Sequence, residues 1–489
     1  MNEFYPSQNR AMSNSPPLGV QDFDIEILLR QLPRGERWLE HLQQDLLPFW
    51  TMPSALGEPL GNFPTYRNID GSLVDHAKGR PELERLDYVR AKSRQCFGYG
   101  VAYHLTGEEE YLKYAEAGVA FLRKHAFDRE NGGAYSWFIG PERTPGPDVP
   151  YRTSQDLAYL LSGIGFLYYL TRDPKLEREL IATHDYIWFN YYDSGADMFR
   201  WVLEDSPAPD KDKRSQQEIV AQLDQIYSYM MLVTPCLPEP HCSTWKKRLI
   251  KLAHILMDRF YSPRTGMFWG TVDKTVDKRL PVGSETGHTD FGHSVKAFWL
   301  ISLIGSLTDD YEMFVSAQRG AARLVDMAYV EKPGSGSWSR CLKADGKRDE
   351  DKEWWMHCEL DQVAGALALN DPAYLRYVVR TYDYWFKFMV DHENHEVFPM
   401  LDGATNQPKG GEKIGPWKNA LHTFEHALIG YLFAQQLHGE PAALHFAWQQ
   451  TPQKRRIAPY FYQATVQKIS ETATETGAKR QKVLFTTVH

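Results

Sequence analysis

Cysteine is scarce: five residues in 489, scattered, with no CxxC pair. That usage excludes a disulfide framework and a zinc ribbon, and points to reduced thiols in the cytoplasm. No apolar run approaches the ~18 residues of a membrane-spanning helix, and the first 20 residues are polar, without the apolar core of a secretory signal. Basic charge is also short. Lys and Arg number 55 against 63 Asp and Glu, a net charge of −8. This balance argues against nucleic acid or an anionic membrane surface as the main partner. A tight metal motif such as HExxH is missing as well.

What the chain has is aromatics, at 13% of residues with 14 Trp and 27 Tyr, and 43% hydrophobic residues. That is enough for one large core, and aromatic faces suit both a core and a sugar pocket. An aromatic marker follows a turn-like stretch six times: Gly61-Asn62-Phe63, Gly133 to Trp137, Asp197 to Phe199, Gly266 to Trp269, Gly336 to Trp338 and Glu396 to Phe398. The spacing is roughly one helical hairpin plus a long loop per repeat. Between the markers lie about twelve segments of helical period. They start near Glu36, Leu86, Glu109, Ser154, Leu176, Ile219, Ser243, Thr289, Asp310, Trp354, Pro372 and Asn419. The even-numbered ones are apolar on most faces, as buried helices are, and the odd ones carry more charge. The expected architecture is an all-α toroid of six hairpins, an (α/α)6 barrel over residues 21–457. A disordered segment over 1–20 precedes it. A β-hairpin extension over 458–489 follows, with strands Tyr460–Ile469 and Lys482–Val488.

Polar residues break the apolar pattern in the first turns of the inner helices: Arg94; Gln155 and Asp156; Asp224 and Gln225; His288 and His293; His357 and Glu359; His422, Glu425 and His426. In a toroid those ends converge on one mouth. Ionisable groups are costly to bury unless paired or functional, so a ring of them is a site signal. His288, His357 and His426 are read as core histidines. A metal set of His288, His293, His422 and His426 is weighed and set aside, because the ligands lack a tight motif.

Four segments carry a resemblance. Gly292-His293-Ser294-Val295-Lys296 resembles the Gly-His-x-x-Glu segment of the superfamily of N-acylglucosamine 2-epimerases, cellobiose 2-epimerases and mannose isomerases. Trp354-Trp355-Met356-His357-Cys358-Glu359 is similar to its Trp-Trp-Pro-Gln-x-Glu segment, and Trp417-Lys418-Asn419-Ala420-Leu421-His422 to its Trp-Lys-x-x-Tyr-His segment. Ser93-Arg94-Gln95 falls where the substrate-binding arginine stands. The resemblance covers roughly residues 35–440. It implies epimerisation or aldose–ketose isomerisation of a reducing sugar through a cis-enediolate, with no cofactor. His293 and His422 would be the catalytic pair, since histidine both accepts and donates protons near neutral pH. Arg94, Gln225, Glu359, Trp355, Lys296 and Glu425 would contact the substrate. A homodimer is the one macromolecular assembly left open.

Three positions depart from the family pattern. Lys296 stands for an acid, Gln225 for a histidine and Glu425 for an arginine. The two charge changes cancel, which suggests that Lys296 and Glu425 share one network. In it Glu425 is expected to support a cationic His422, and Lys296 to disfavour protonation of His293. Two other functions use the same fold class. One is glycoside hydrolysis by a carboxylate pair drawn from Asp156, Asp224, Glu359 and Glu425. The other is sugar binding without catalysis.

Overall fold

The computed structural model describes residues 24–74, 86–140, 142–204, 217–272, 289–332, 334–343, 345–473 and 479–489. Residues 1–20 and His288 lie outside that set. Twelve helices form an (α/α)6 barrel. The outer ring is α1 (35–50), α3 (Glu109–His125), α5 (Pro174–Tyr191), α7 (241–260), α9 (Tyr311–Ala328) and α11 (372–389). The inner ring is α2 (Val89–Thr106), α4 (Ser154–Thr171), α6 (219–236), α8 (Phe291–Thr308), α10 (Trp354–Asn370) and α12 (Ala420–Leu437). Each inner helix packs on the next, and α12 closes on α2.

The difference between the rings is written in their side chains. Every residue of α2 except Thr106 is buried. In α3 only Ala115, Gly118, Val119, Phe121 and Leu122 are buried, a single stripe of helical period. Small residues let the inner helices touch. A side chain at Gly163 would place its Cβ 2.4 Å from the Ser93 carbonyl oxygen of α2.

The aromatic markers have a common structural meaning. After an outer helix the chain turns back in a short antiparallel pairing before entering the next inner helix. The pairings are Phe127 with Ala134, Tyr192–Asp193 with Met198–Phe199, Tyr261–Ser262 with Met267–Phe268, Tyr329–Lys332 with Ser335–Trp338, and Val390 with Val397. The first marker has no such pairing among the described residues; there Gly61 packs against Ala117 of α3. All these long connections lie at the N-terminal ends of the inner helices, whereas two to four residues join most inner helices to the following outer ones.

The C-terminal region holds the expected hairpin and adds a strand to it. Strand Thr465–Ala473 pairs with Lys479–Thr486, which pairs in turn with Ala442–Phe446. The sheet has three strands and reaches back across the 457/458 boundary. Tyr460, expected to open a strand, does not. Tyr460, Phe461 and Tyr462 are buried among the inner helices instead. The Tyr460 ring meets Phe97 and Phe166, and the Trp299 Nε1–H donates to the Tyr462 hydroxyl at 3.1 Å. Tyrosine rings fill the axis while their hydroxyls need polar partners there, which ties this segment to the polar ring above it.

Candidate active site

His293 occupies the first turn of α8. Asp290 is the N-cap: one carboxylate oxygen accepts the His293 backbone N–H at 2.7 Å and the other lies 2.8 Å from His293 Nδ1. One side chain therefore starts the helix and orients the imidazole. Gly292 must be small, because a Cβ there would stand 2.7 Å from the Trp355 ring. That ring packs edge-on against His293 with centroids 4.6 Å apart, and its neighbours also include His422, at 6.0 Å, and the Lys296 ammonium, at 5.3 Å. Trp355, at the start of α10, thus lies against both histidines. Its indole N–H donates to Glu353 at 2.9 Å, which fixes the ring.

His422 enters from α12, whose N-cap Asn419 accepts the Leu421 N–H. Its Nδ1 lies 3.2 Å from a Glu359 carboxylate oxygen and 3.3 Å from the Tyr227 hydroxyl. Both contacts fall on Nδ1, leaving Nε2 for a substrate. Burial, aided by the charges of Lys296, Arg94, His293 and Lys418, holds the His422 pKa well below the ordinary value of 6.5. The imidazole is neutral at neutral pH.

Glu359 is fully buried, and the Lys296 ammonium stands 2.7 Å from it. The same ammonium lies 4.1 Å from the Tyr227 ring centroid. Burial pulls the Lys296 pKa down, but Glu359, Tyr159 and Asp224 outweigh it, so Lys296 stays charged. Glu425, also fully buried, accepts from the Tyr227 hydroxyl at 2.5 Å with one oxygen and from the Tyr460 hydroxyl at 2.5 Å with the other. Burial and the Glu359 charge push its pKa up to about 8, against the opposing pull of the two tyrosines and Lys296.

The charges act differently from the sequence expectation. Glu425 spends both oxygens on tyrosines, and His422 is neutral rather than cationic. Lys296 pairs with Glu359 and lowers His422, while the carboxylate beside His293 is its own N-cap. The shared network of Lys296 and Glu425 exists, but it runs through Glu359 and Tyr227.

Arg94 on α2 is buried. It donates to the Trp417 carbonyl at 3.0 Å and stacks its guanidinium over Tyr159 at 3.7 Å. Its Nε is buried with no hydrogen-bond partner among the described residues, a donor available to a ligand oxygen. Tyr159 donates to Asp224 at 3.1 Å, and Gln155 donates to the same carboxylate at 2.5 Å. Gln225 is not in this group. Its amide donates to the Ser154 carbonyl at 2.9 Å and its oxygen faces the Tyr229 hydroxyl, in the seam between α4 and α6. Asp156 is paired with Arg90 at 2.6 Å. His357 and His426 share Asp361, at 3.5 and 3.0 Å, as core histidines.

Tyr159, Tyr227, Asp290 and Tyr460 are the members that the sequence reading missed. Asp290 was legible as a helix cap. Tyr227 sits in a π-helical turn, Ile226–Met230, that no periodicity announces; such turns recur at functional sites. Glu359, His422 and Glu425 each offer a donor atom within 4.8 Å of one another, a set that differs from the four histidines weighed above. The Lys296 ammonium already supplies the cation there, so the set is a charge-compensated network and is not assigned a metal.

No family model matches the chain. A cellobiose 2-epimerase of Eubacterium cellulosolvens is 24% identical over 349 residues, 67% of this chain and 80% of that protein. The solved structure of a sugar epimerase from a ruminal bacterium superposes with a TM-score of 0.67 at 17% identity, over 82% of this chain and 98% of that one. A D-mannose isomerase structure does so with a TM-score of 0.64 at 16% identity, over 81% and 97%.

Proposed function

We propose, from its membership of the superfamily of sugar 2-epimerases and aldose–ketose isomerases, that this chain moves a proton at C2 of a reducing sugar. The observation that carries this reading is the pair His293 and His422, brought from α8 and α12 to the same Trp355 ring. In the open-chain sugar the C2 proton is acidified by the adjacent aldehyde. Neutral His422, with Nδ1 held by its neighbours, removes that proton through Nε2. The cis-enediolate that forms carries negative charge, which the guanidinium of Arg94 and the ammonium of Lys296 stabilise. His293, aimed through Nδ1 by Asp290, returns a proton to the opposite face of C2 to give the epimer. Delivery to C1 gives the ketose instead. Trp355 presents an apolar face to the sugar carbons, and Glu359 keeps His422 in register. Every step uses a side chain of this chain.

The carboxylate-pair alternative finds less support. Asp156 is ion-paired with Arg90, Glu359 with Lys296, and Glu425 is capped by two tyrosines. The test is incubation with a panel of reducing sugars in D2O. Deuterium at C2 in an epimer or ketose is the expected result. Hydrolysis of a glycoside without C2 exchange would overturn the reading.

A further inference from the structure

The C-terminal extension enters the barrel and touches the network that holds His422. Tyr460 takes a left-handed backbone conformation, φ +62°, which a bulky side chain rarely adopts. Its backbone N–H donates to the Tyr169 hydroxyl at 3.0 Å, and the same hydroxyl donates to the Ala458 carbonyl at 2.7 Å, so the turn is clamped from α4. The ring stacks on Phe461 at 3.9 Å between centroids. All of this drives one hydroxyl onto Glu425, 2.5 Å away. From Glu425 the chain of contacts runs through Tyr227, 2.5 Å, to His422 Nδ1, 3.3 Å.

We propose that Tyr460 is a positioning residue for the isomerase chemistry: by donating to Glu425 it keeps that carboxylate an acceptor, and so fixes the tautomer of His422 through Tyr227. This rests on the function proposed above. The logic is a count of protons. Tyr227 has one O–H. While Glu425 is ionised, with Tyr460 donating to one oxygen, Tyr227 donates to the other. The Tyr227 oxygen is then an acceptor, as is Glu359, so His422 carries its proton on Nδ1 and leaves Nε2 a base. When Glu425 is protonated, its O–H donates to Tyr227. Tyr227 then donates toward Nδ1, which favours the opposite tautomer, with Nε2 protonated and unable to accept. A hydrogen-bond chain of this kind switches as a unit.

The groups around Glu425 set when that happens. Glu359 and Cys358 face it from α10, Lys296 from α8, Tyr227 from α6, Tyr460 and Tyr462 from the C-terminal segment, and His422 lies on its own helix. Arg94 of α2 acts on His422. Glu359 raises the Glu425 pKa; Lys296 and the two tyrosines oppose that rise. Removing the Tyr460 hydroxyl deletes one donor to the anion and moves protonation of Glu425 to higher pH.

The test is Tyr460→Phe in the full chain, with two readouts. In turnover of a sugar that the wild type exchanges at C2, the acidic limb of the pH profile moves up by about one unit, which is about tenfold in kcat at pH values below both limbs. Activity returns at high pH, where Glu425 is ionised in both proteins. Independently of turnover, 15N-histidine NMR, with His422 assigned by its loss in His422→Gln, reports the Nδ1–H tautomer in the wild type at high pH. As pH falls it changes to the Nε2–H tautomer, earlier in Tyr460→Phe. An unmoved limb with unmoved tautomer, or a uniform loss of kcat at every pH, overturns the proposal. A wild type that exchanges no sugar overturns the proposed function instead, and the NMR titration still decides the hydrogen-bond relay.

Discussion

His422 and His426 stand one turn apart on α12, both buried, and they do opposite things. Four residues rotate a helix by about 400°, so the two side chains differ by only about 40° in direction. That is enough to put His422 on the barrel axis and His426 in the wall. His426 Nε2 lies 3.0 Å from the Asp361 carboxylate inside a cage of Trp38 and Trp385 rings. His422 also faces a carboxylate, Glu359, but Lys296 already neutralises it. The lesson is that burial and residue type do not distinguish the histidine we propose as catalytic from the one in the wall. What distinguishes them is whether a lysine already neutralises the neighbouring acid, as Lys296 does Glu359, or histidines share it, as His357 and His426 share Asp361.

The sharpest way to break this comparison is to delete each ring. His422→Ala is expected to lower kcat by ~10²-fold or more, as loss of a general base does, with little change in unfolding midpoint. His426→Ala should leave turnover per folded molecule unchanged but take one partner from Asp361, which keeps His357 and the Trp338 indole, at a cost of about 2 kcal/mol in urea unfolding. Equal losses of turnover in the two variants would erase the distinction.

The neutralised acid can be tested by a cycle on its ion pair. Lys296→Met leaves Glu359 buried and unpaired, and Glu359→Gln leaves Lys296 so; each is expected to cost about 3 kcal/mol. The double variant should cost clearly less than the sum, with a coupling of at least about 1 kcal/mol. The same cycle with Lys296 and Glu425, which do not pair directly, should show a smaller coupling. The reverse ranking would mean that the two charges the sequence linked are the true pair.

Once Glu425 is protonated, acid should find the wall histidines before it finds a carboxylate held low, such as Asp361. Burial lowers the His357 pKa from 6.5 to about 4, with Asp361 opposing, and lowers His104 to about 3. Both values are depressed in the folded state. Their stabilising contribution is therefore complete above pH 6.5 and is lost as pH falls, because the unfolded chain binds the proton first. Between pH 6.5 and about 4, His357 alone should cost about 3 kcal/mol. Chemical denaturation across that range, repeated with His357→Gln, measures it; an unaltered slope in the variant would remove His357 from the account.

The fold was legible because a hairpin repeat leaves two strong periodic signals, the apolar inner helices and the aromatic turn before each one. The starts expected near Glu109, Ser154, Ile219 and Trp354 are the observed helix starts. The residues that the structure brings together in the candidate site were legible where charge interrupted an apolar helix, as at Arg94, His293, Glu359 and His422. Their roles were not, because direction depends on who stands across the axis. Lys296 was expected to act on His293 and acts on His422, since Glu359 of α10 draws the ammonium inward. Tyr460 was hidden for another reason. A β-rich tail gives no hint that its first three residues fold back 35 positions in sequence to reach Glu425.

The smallest expected effect concerns Gln225, and it separates two adjacent residues. Successive positions on a helix point about 100° apart. Asp224 therefore turns to Tyr159 and Gln155 on the site side, while Gln225 turns into the seam where α6 meets the first turn of α4. Its amide satisfies the Ser154 carbonyl, and its oxygen faces Tyr229 at 3.4 Å. Gln225→Ala removes one good buried hydrogen bond and one long one, so it should cost about 1–2 kcal/mol of stability and leave KM and kcat unchanged. Asp224→Asn is the matched control. It keeps the shape but removes a charge near Lys296 and Tyr159, and should alter kcat/KM while Gln225→Ala does not. A raised KM in Gln225→Ala with unchanged stability would restore the reading of Gln225 as a sugar contact and show that the side chain leaves the seam when substrate enters.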